Sequence, residues 1–209
     1  RTAMAQAYIF SASIGMIVIK ANAAVARANA ISRAKAAGAN IIVGGDILAE
    51  NTAKSEAVSK IDNLSAGLAS VGVMVGYAYA QGTFEALVDS TGTIQAGGDI
   101  NAKNTYTSLA STVTNPALGG VSVSYTLTAM VNVGYAEALT TSNAGLSGTG
   151  TIQGANVGAV NTGKAKADAR VMGGFFSGST VQVVSNTVVA KLTAVQSAYI
   201  TGAHIIAQA

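Results

Sequence analysis

The side chains able to do acid–base or metal chemistry are few in this 209-residue chain: one histidine, His204, and nine carboxylates. A catalytic triad or a histidine-centred metal site needs partners that the spacing around His204 does not supply. Asp46 and Asp99 each follow a glycine pair, Gly44-Gly45 and Gly97-Gly98, a pattern that suggests calcium. The full G-G-x-G-x-D-x-U-x repeat is absent, however, and two isolated carboxylates offer too few oxygens, which favours Asx-type corner hydrogen bonds. Glu85, Asp89, Glu137 and Asp168 are sparse and differ in phase, unlike the paired carboxylates of polysaccharide cleavage. Neither GxGxxG nor GxxxxGK[ST] occurs in a strand-to-helix setting. The expectation is no catalytic residue, no metal site, no cofactor and no enzyme, with a polysaccharide-active enzyme kept as the lowest alternative.

Two other groups recur. Asn51, Asn104 and Asn161 occupy equivalent places, and amides bonding from coil to coil along a structural corner would explain them. Tyr77 and Tyr135 sit in matching GYA triplets, with Tyr79 and Tyr125 nearby. These four are candidates either for a protein or carbohydrate contact strip or for a structural aromatic stack.

The positioning elements are repeats. IIVGGDILAENT (Ile41–Thr52), TIQAGGDINAKNT (Thr93–Thr105), TIQGANVGAVNT (Thr151–Thr162) and ITGAHIIAQ (Ile200–Gln208) restate one phrase. Anchored on the corner residues Asp46, Asp99, Asn156 and His204, the separations are 99 − 46 = 53, 156 − 99 = 57 and 204 − 156 = 48. A second phrase, VGVMVGYAYAQG (Val71–Gly82) and AMVNVGYAEALT (Ala129–Thr140), places its GYA triplets 134 − 76 = 58 apart. Repeats of about 50 residues are the mark of stacked architectures.

Composition agrees. Only 10% of residues are charged and 5% aromatic, while Ala, Gly, Thr and Val suit a narrow interior in which small side chains stack on copies of themselves. Coils of roughly 18–20 residues would give about ten, near 50 Å in all. The expected fold is therefore an all-β, right-handed parallel β-helix of roughly ten coils. It would be one segment, 1–209, with internal units 1–37 (the end of a preceding unit), 38–90, 91–148, 149–199 and 200–209 (the start of a next one).

Strands are expected at Ile41–Leu48, Val71–Tyr79, Phe84–Val88, Gly120–Val133, Gly174–Val184 and Thr187–Val195, with turns at Gly44-Gly45, Gly97-Gly98, Asn115-Pro116, Ser142-Asn143 and Ser177-Gly178. Pro116, the single proline, is expected in a loop leaving the coil. The Ala-rich tract Lys20–Ala37 has helical propensity. Yet Lys54, Glu56 and Lys60 alternate with Ala53, Ser55, Ala57 and Ser59, and Lys164, Lys166, Asp168 and Arg170 with alanines, which is the period of half-exposed strands.

Zero cysteines exclude disulfides and thiolate metal sites. A net charge of +3, dispersed along the chain, gives no reason to expect nucleic acid. The longest apolar run, Ile14–Ile19, is too short for a membrane-spanning helix. The chain reads as an internal fragment without a polar cap, so its ends should be sticky.

The phrases Gly92–Thr105 and Gly148–Thr162, with the alternating tract Lys164–Arg170, resemble the repeat region of large secreted bacterial exoproteins, the filamentous-haemagglutinin-like adhesins and the fusobacterial leukotoxin type. That resemblance implies a right-handed parallel β-helix, export by a two-partner or autotransporter route, and adhesion, virulence or toxin presentation at the cell outer membrane. The function expected is a rigid stalk with a host-contact surface, extracellular or on the bacterial surface, binding a host-cell protein or glycan. The runner-up is an extracellular filament or matrix subunit that self-associates end to end.

Overall fold

The computed structural model describes residues 1–115, 123–172 and 180–208. Ten strands run in order: β1 (Thr2–Gly38), β2 (Ile41–Val43), β3 (Ile47–Ser90), β4 (Ile94–Ala96), β5 (Ile100–Asn115), β6 (Val123–Gly148), β7 (Thr151–Gly154), β8 (Val157–Val171), β9 (Val181–Thr201) and β10 (His204–Ala207). Every pairing is parallel, and partners lie between 52 residues apart (Thr2↔Lys54) and 58 (Ala69↔Leu127).

One lap of the chain is therefore one closed circuit of more than 50 residues. The β3 strand sits at the centre of the larger sheet, ordered β8-β5-β3-β6-β9 with β1 also on β3, because its first half pairs with β5 and its second half with β6. A smaller sheet, β10-β7-β4-β2, closes the third side.

The two arms of a lap face each other across a thin slot. Ser55 Oγ donates to the carbonyls of Ala28 and Gln81, and Ser59 Oγ to that of Ala24. Inward positions are odd-numbered from Ile47 to Ile61 and even-numbered from Ser70 to Ser90. The phase changes at the fold-back, where the pairing also shifts register between Gly67 and Ala69. Small residues fill the middle of the slot: Ala57, Ala78, Ala80, Ala110, Ala136 and Ala138 are fully buried. Larger ones widen its ends, with Ile94, Ile100, Leu146 and Ile152 beside the third side and Ile61, Met74 and Met130 toward the fold-back.

Alanine stacking also decides the Lys20–Ala37 tract. It lies wholly within β1, and Ala26 sits in line with Ala78, Ala136 and Ala190. A helix there would give up that packing and a whole edge of backbone hydrogen bonds, so tertiary context outweighs propensity.

Several expectations are corrected. The right-handed parallel β-helix of roughly ten coils is overturned by the 52–58-residue pairing distances: the chain makes about four laps, near 20 Å of stacked strand. The closed, all-parallel arrangement is instead the feature shared with TIM-type barrels, although no helix alternates with the strands among the described residues. The resemblance to adhesin and leukotoxin repeats, with its autotransporter and repeat-stalk reading, falls with the narrow coils that it implied. The turn at Ser142-Asn143 lies inside β6, and Val71–Tyr79 and Phe84–Val88 are stretches of the single strand β3. Residues Ile41–Leu48 break at Gly44–Asp46 into β2 and the start of β3. Pro116, the Ser177-Gly178 turn and parts of the strands expected at 120–133 and 174–184 lie outside the described residues.

Candidate interaction edges

The asparagines form the best-bonded polar feature. Asn51 in β3, Asn104 in β5 and Asn161 in β8 point into the slot from mid-strand rather than from a corner. Asn51 Nδ2 donates to Asn104 Oδ1 at 2.8 Å, and Asn104 Nδ2 to Asn161 Oδ1 at 3.2 Å. The opposite arm completes the seam: Ser32 Oγ donates to Asn51 Oδ1, Ser142 Oγ to Asn161 Oδ1, and Asn161 Nδ2 to the Ser197 carbonyl. Sequence reasoning missed Ser32 and Ser142, whose signal is their even-numbered, inward phase after the fold-back.

At the bends, Asp46 Oδ1 accepts the Asp99 backbone N–H at 2.9 Å. Asp99 Oδ1 accepts Asn156 N–H at 3.2 Å and its side-chain amide at 2.8 Å. These carboxylates tie each lap to the next. His204 does not share their place: it pairs with Thr151, one position before the aligned Ile152 and Ile94, so the four-member corner equivalence is corrected to three.

Tyr77 and Tyr135 stack, with centroids 5.1 Å apart and planes 7° apart, and Arg27 lies 5.5 Å over the Tyr77 ring. Both faces of Tyr77 are thus covered, leaving no open ring face for a sugar. Tyr79 is half-buried and donates to Gln81 Oε1 at 3.3 Å. The side chain of Tyr125 lies outside the described residues.

Charged groups decorate the outer faces in local sets. Asp62 accepts from Tyr8 Oη at 2.9 Å and pairs with Lys60 at 2.8 Å. Burial pushes its carboxyl up, but the hydrogen bonds from Lys60 and Tyr8 outweigh burial and hold it below the usual range. Hydrogen bonds from Lys191 and Tyr135 likewise lower Glu137. Burial lowers Lys20, whose Nζ donates to Asn63 Oδ1 and to the Leu64 carbonyl at the fold-back.

No group of three or more His, Cys, Asp or Glu side chains is placed to hold a metal ion among the described residues. The expectation of a non-enzyme is nevertheless corrected, because closed parallel β architectures carry catalysis in many enzyme folds and this topology gives that expectation no support. No helix is long and apolar enough to cross a membrane among the described residues.

The most exposed bonding capacity is backbone. Among the described residues, β1 pairs with β3 alone, β8 with β5 alone, β9 with β6 alone and β10 with β7 alone. Both ends of the stack therefore present a long unpaired strand edge. Apolar side chains accompany the edges: Ile17 and Ile19 are 72% and 78% exposed, and Val183 and Val195 at the other end 59% and 57%.

No protein-family model, curated protein or solved structure matches the chain.

Proposed function

We propose that this chain is a protein-association domain that works by strand addition at its open edges. The observation that carries the reading is the 37-residue strand β1 with one neighbour only among the described residues, faced at the far end by the equally one-sided β8, β9 and β10. Unpaired N–H and C=O groups in a row are a template for an extended partner, and main-chain hydrogen bonds supply affinity in that mode. A protein partner fits better than a glycan, because Tyr77 spends both ring faces on Tyr135 and Arg27. An extracellular or cell-surface setting suits such a domain, whose cohesion comes from backbone pairing and needs no disulfide.

The test is amide hydrogen exchange in the presence of a synthetic peptide of alternating Thr and Val. Slowed exchange in β1, or in β8 and β9, is the expected result. Binding that protects neither edge, or no binding, overturns the reading.

A further inference from the structure

We infer that the occupant of the far edge is a second copy of this chain, seated head to tail with its β1 on β8 and β9 and its β2 on β10. The inference deepens the strand-addition reading and rests on it. Its basis is register. Following the pairing from lap to lap, Val25 lies in line with Tyr77, Tyr135 and Val189, and Ile19 with Val71, Ala129 and Val183. Continuing the same sequence by one lap sets the next copy's Val25 beside Val189, its Ile19 beside Val183 and its Ile31 beside Val195. Each pair joins two exposed aliphatic side chains, the contact that cross-strand pairing favours.

The inward face continues as well. Ala26 of the next copy falls on Ala190, extending the alanine column that fills the slot. Asn132 Nδ2 already donates to Asn186 Oδ1 at 2.8 Å. Asn22 occupies the same column and would arrive beside the Asn186 carboxamide. Asn186 Nδ2 donating to the next copy's Asn22 Oδ1 would repeat the Asn132–Asn186 bond one lap further.

One column opposes the contact: Arg27 would stand beside Lys191, which is already held by Glu137 at 2.8 Å. Association should therefore strengthen with added salt. A head-to-tail contact does not close on itself, so the free edge is regenerated with each copy added.

The chain has no cysteine, so single thiols can report the register. Val25→Cys and Val189→Cys proteins, mixed and treated with a short bismaleimide, should give a cross-linked dimer that neither protein gives alone. In sedimentation velocity, mass should rise with concentration, and Arg27→Glu should strengthen the association. Ala190→Lys, at an exposed position on the open end, should weaken it about a hundredfold or more by placing a charge against the next copy's alanines, with the circular dichroism spectrum unchanged.

A monomer at every concentration, with no cross-link, overturns the inference. So does cross-linking of Val25→Cys with itself in place of Val189→Cys, which would mean that like edges meet. Neither outcome touches the strand-addition reading if the Thr/Val peptide still protects an edge; failure of that peptide experiment is what removes the broader reading.

Discussion

Tyr77 and Tyr135 stack almost parallel, 5.1 Å between centroids, because they are direct pairing partners in adjacent laps. Strand spacing alone brings the rings to this distance, so the pair is a consequence of register and acts as a clasp between β3 and β6. Replacing either with alanine should lower stability, and the double substitution should cost less than the sum of the two. The coupling expected for an aromatic pair is about 0.5–1.5 kcal/mol. Urea denaturation of the four proteins in the cycle measures it, and strict additivity would show that the rings do not help each other.

Glycines on the inward face make room for rings. An added Cβ at Gly163 would stand 2.1 Å from the Tyr106 ring, and one at Gly82 would stand 2.3 Å from that of Phe84. Phe84 and Tyr106 are themselves stacked and buried, so neither can retreat. Gly163→Ala or Gly82→Ala should each cost about 1–3 kcal/mol by overpacking. Gly145→Ala meets the Tyr199 ring at a similar distance, but Tyr199 is 40% exposed and can swing away. Its cost should be clearly smaller; equal losses at all three positions would count against ring confinement as the cause.

Asn104 is the hub of the polar seam, accepting from Asn51 and donating to Asn161, to Ser142 Oγ and to the Phe84 carbonyl. Asn104→Ala leaves several buried groups short of a partner and should cost about 2–3 kcal/mol. Asn161→Ala, in the last lap and only part-buried, should cost less. The order of the two urea midpoints decides the matter, and a reversed order would place the weight of the seam in the end lap.

The repeat was readable in the residues, and its meaning was not. The separations of 53 between Asp46 and Asp99 and of 58 between the GYA triplets are the pairing offsets themselves. What misleads is the assumption that a period of this size holds several narrow coils. Narrow coils need a turn every 18–20 residues or so, whereas alternation runs from Ile47 to Ser90 with one change of phase. That change, from inward odd to inward even near Gly67, is the sequence trace of the fold-back. His204 was misplaced for a related reason: an offset of 48 resembled the others, but the last lap pairs His204 at 53 with Thr151. The one-sided pairing of β1 and β9 among the described residues was not legible, since it depends on which residues share a column.

Acid should weaken the fold chiefly through Asp62. Its carboxyl is held below its usual range by Lys60 and Tyr8 against the opposing effect of burial, and only 5% of its side chain is exposed. A carboxylate whose folded pKa lies below its unfolded value contributes stability that is fully present above the unfolded value and is lost as pH falls through the folded one. Stability should therefore be level from pH 7 to about 5 and fall below about 4. Glu137 and Asp168 are lowered as well, by the cations beside them, but they are more exposed and their share is screened. Asp62→Asn should lower stability at pH 7 and flatten the fall on the acid side, whereas Glu137→Gln should leave most of it. Urea midpoints at pH 7 and pH 3 for the three proteins provide the comparison. An acid fall as steep in Asp62→Asn as in the parent would assign the acid sensitivity to the exposed carboxylates instead.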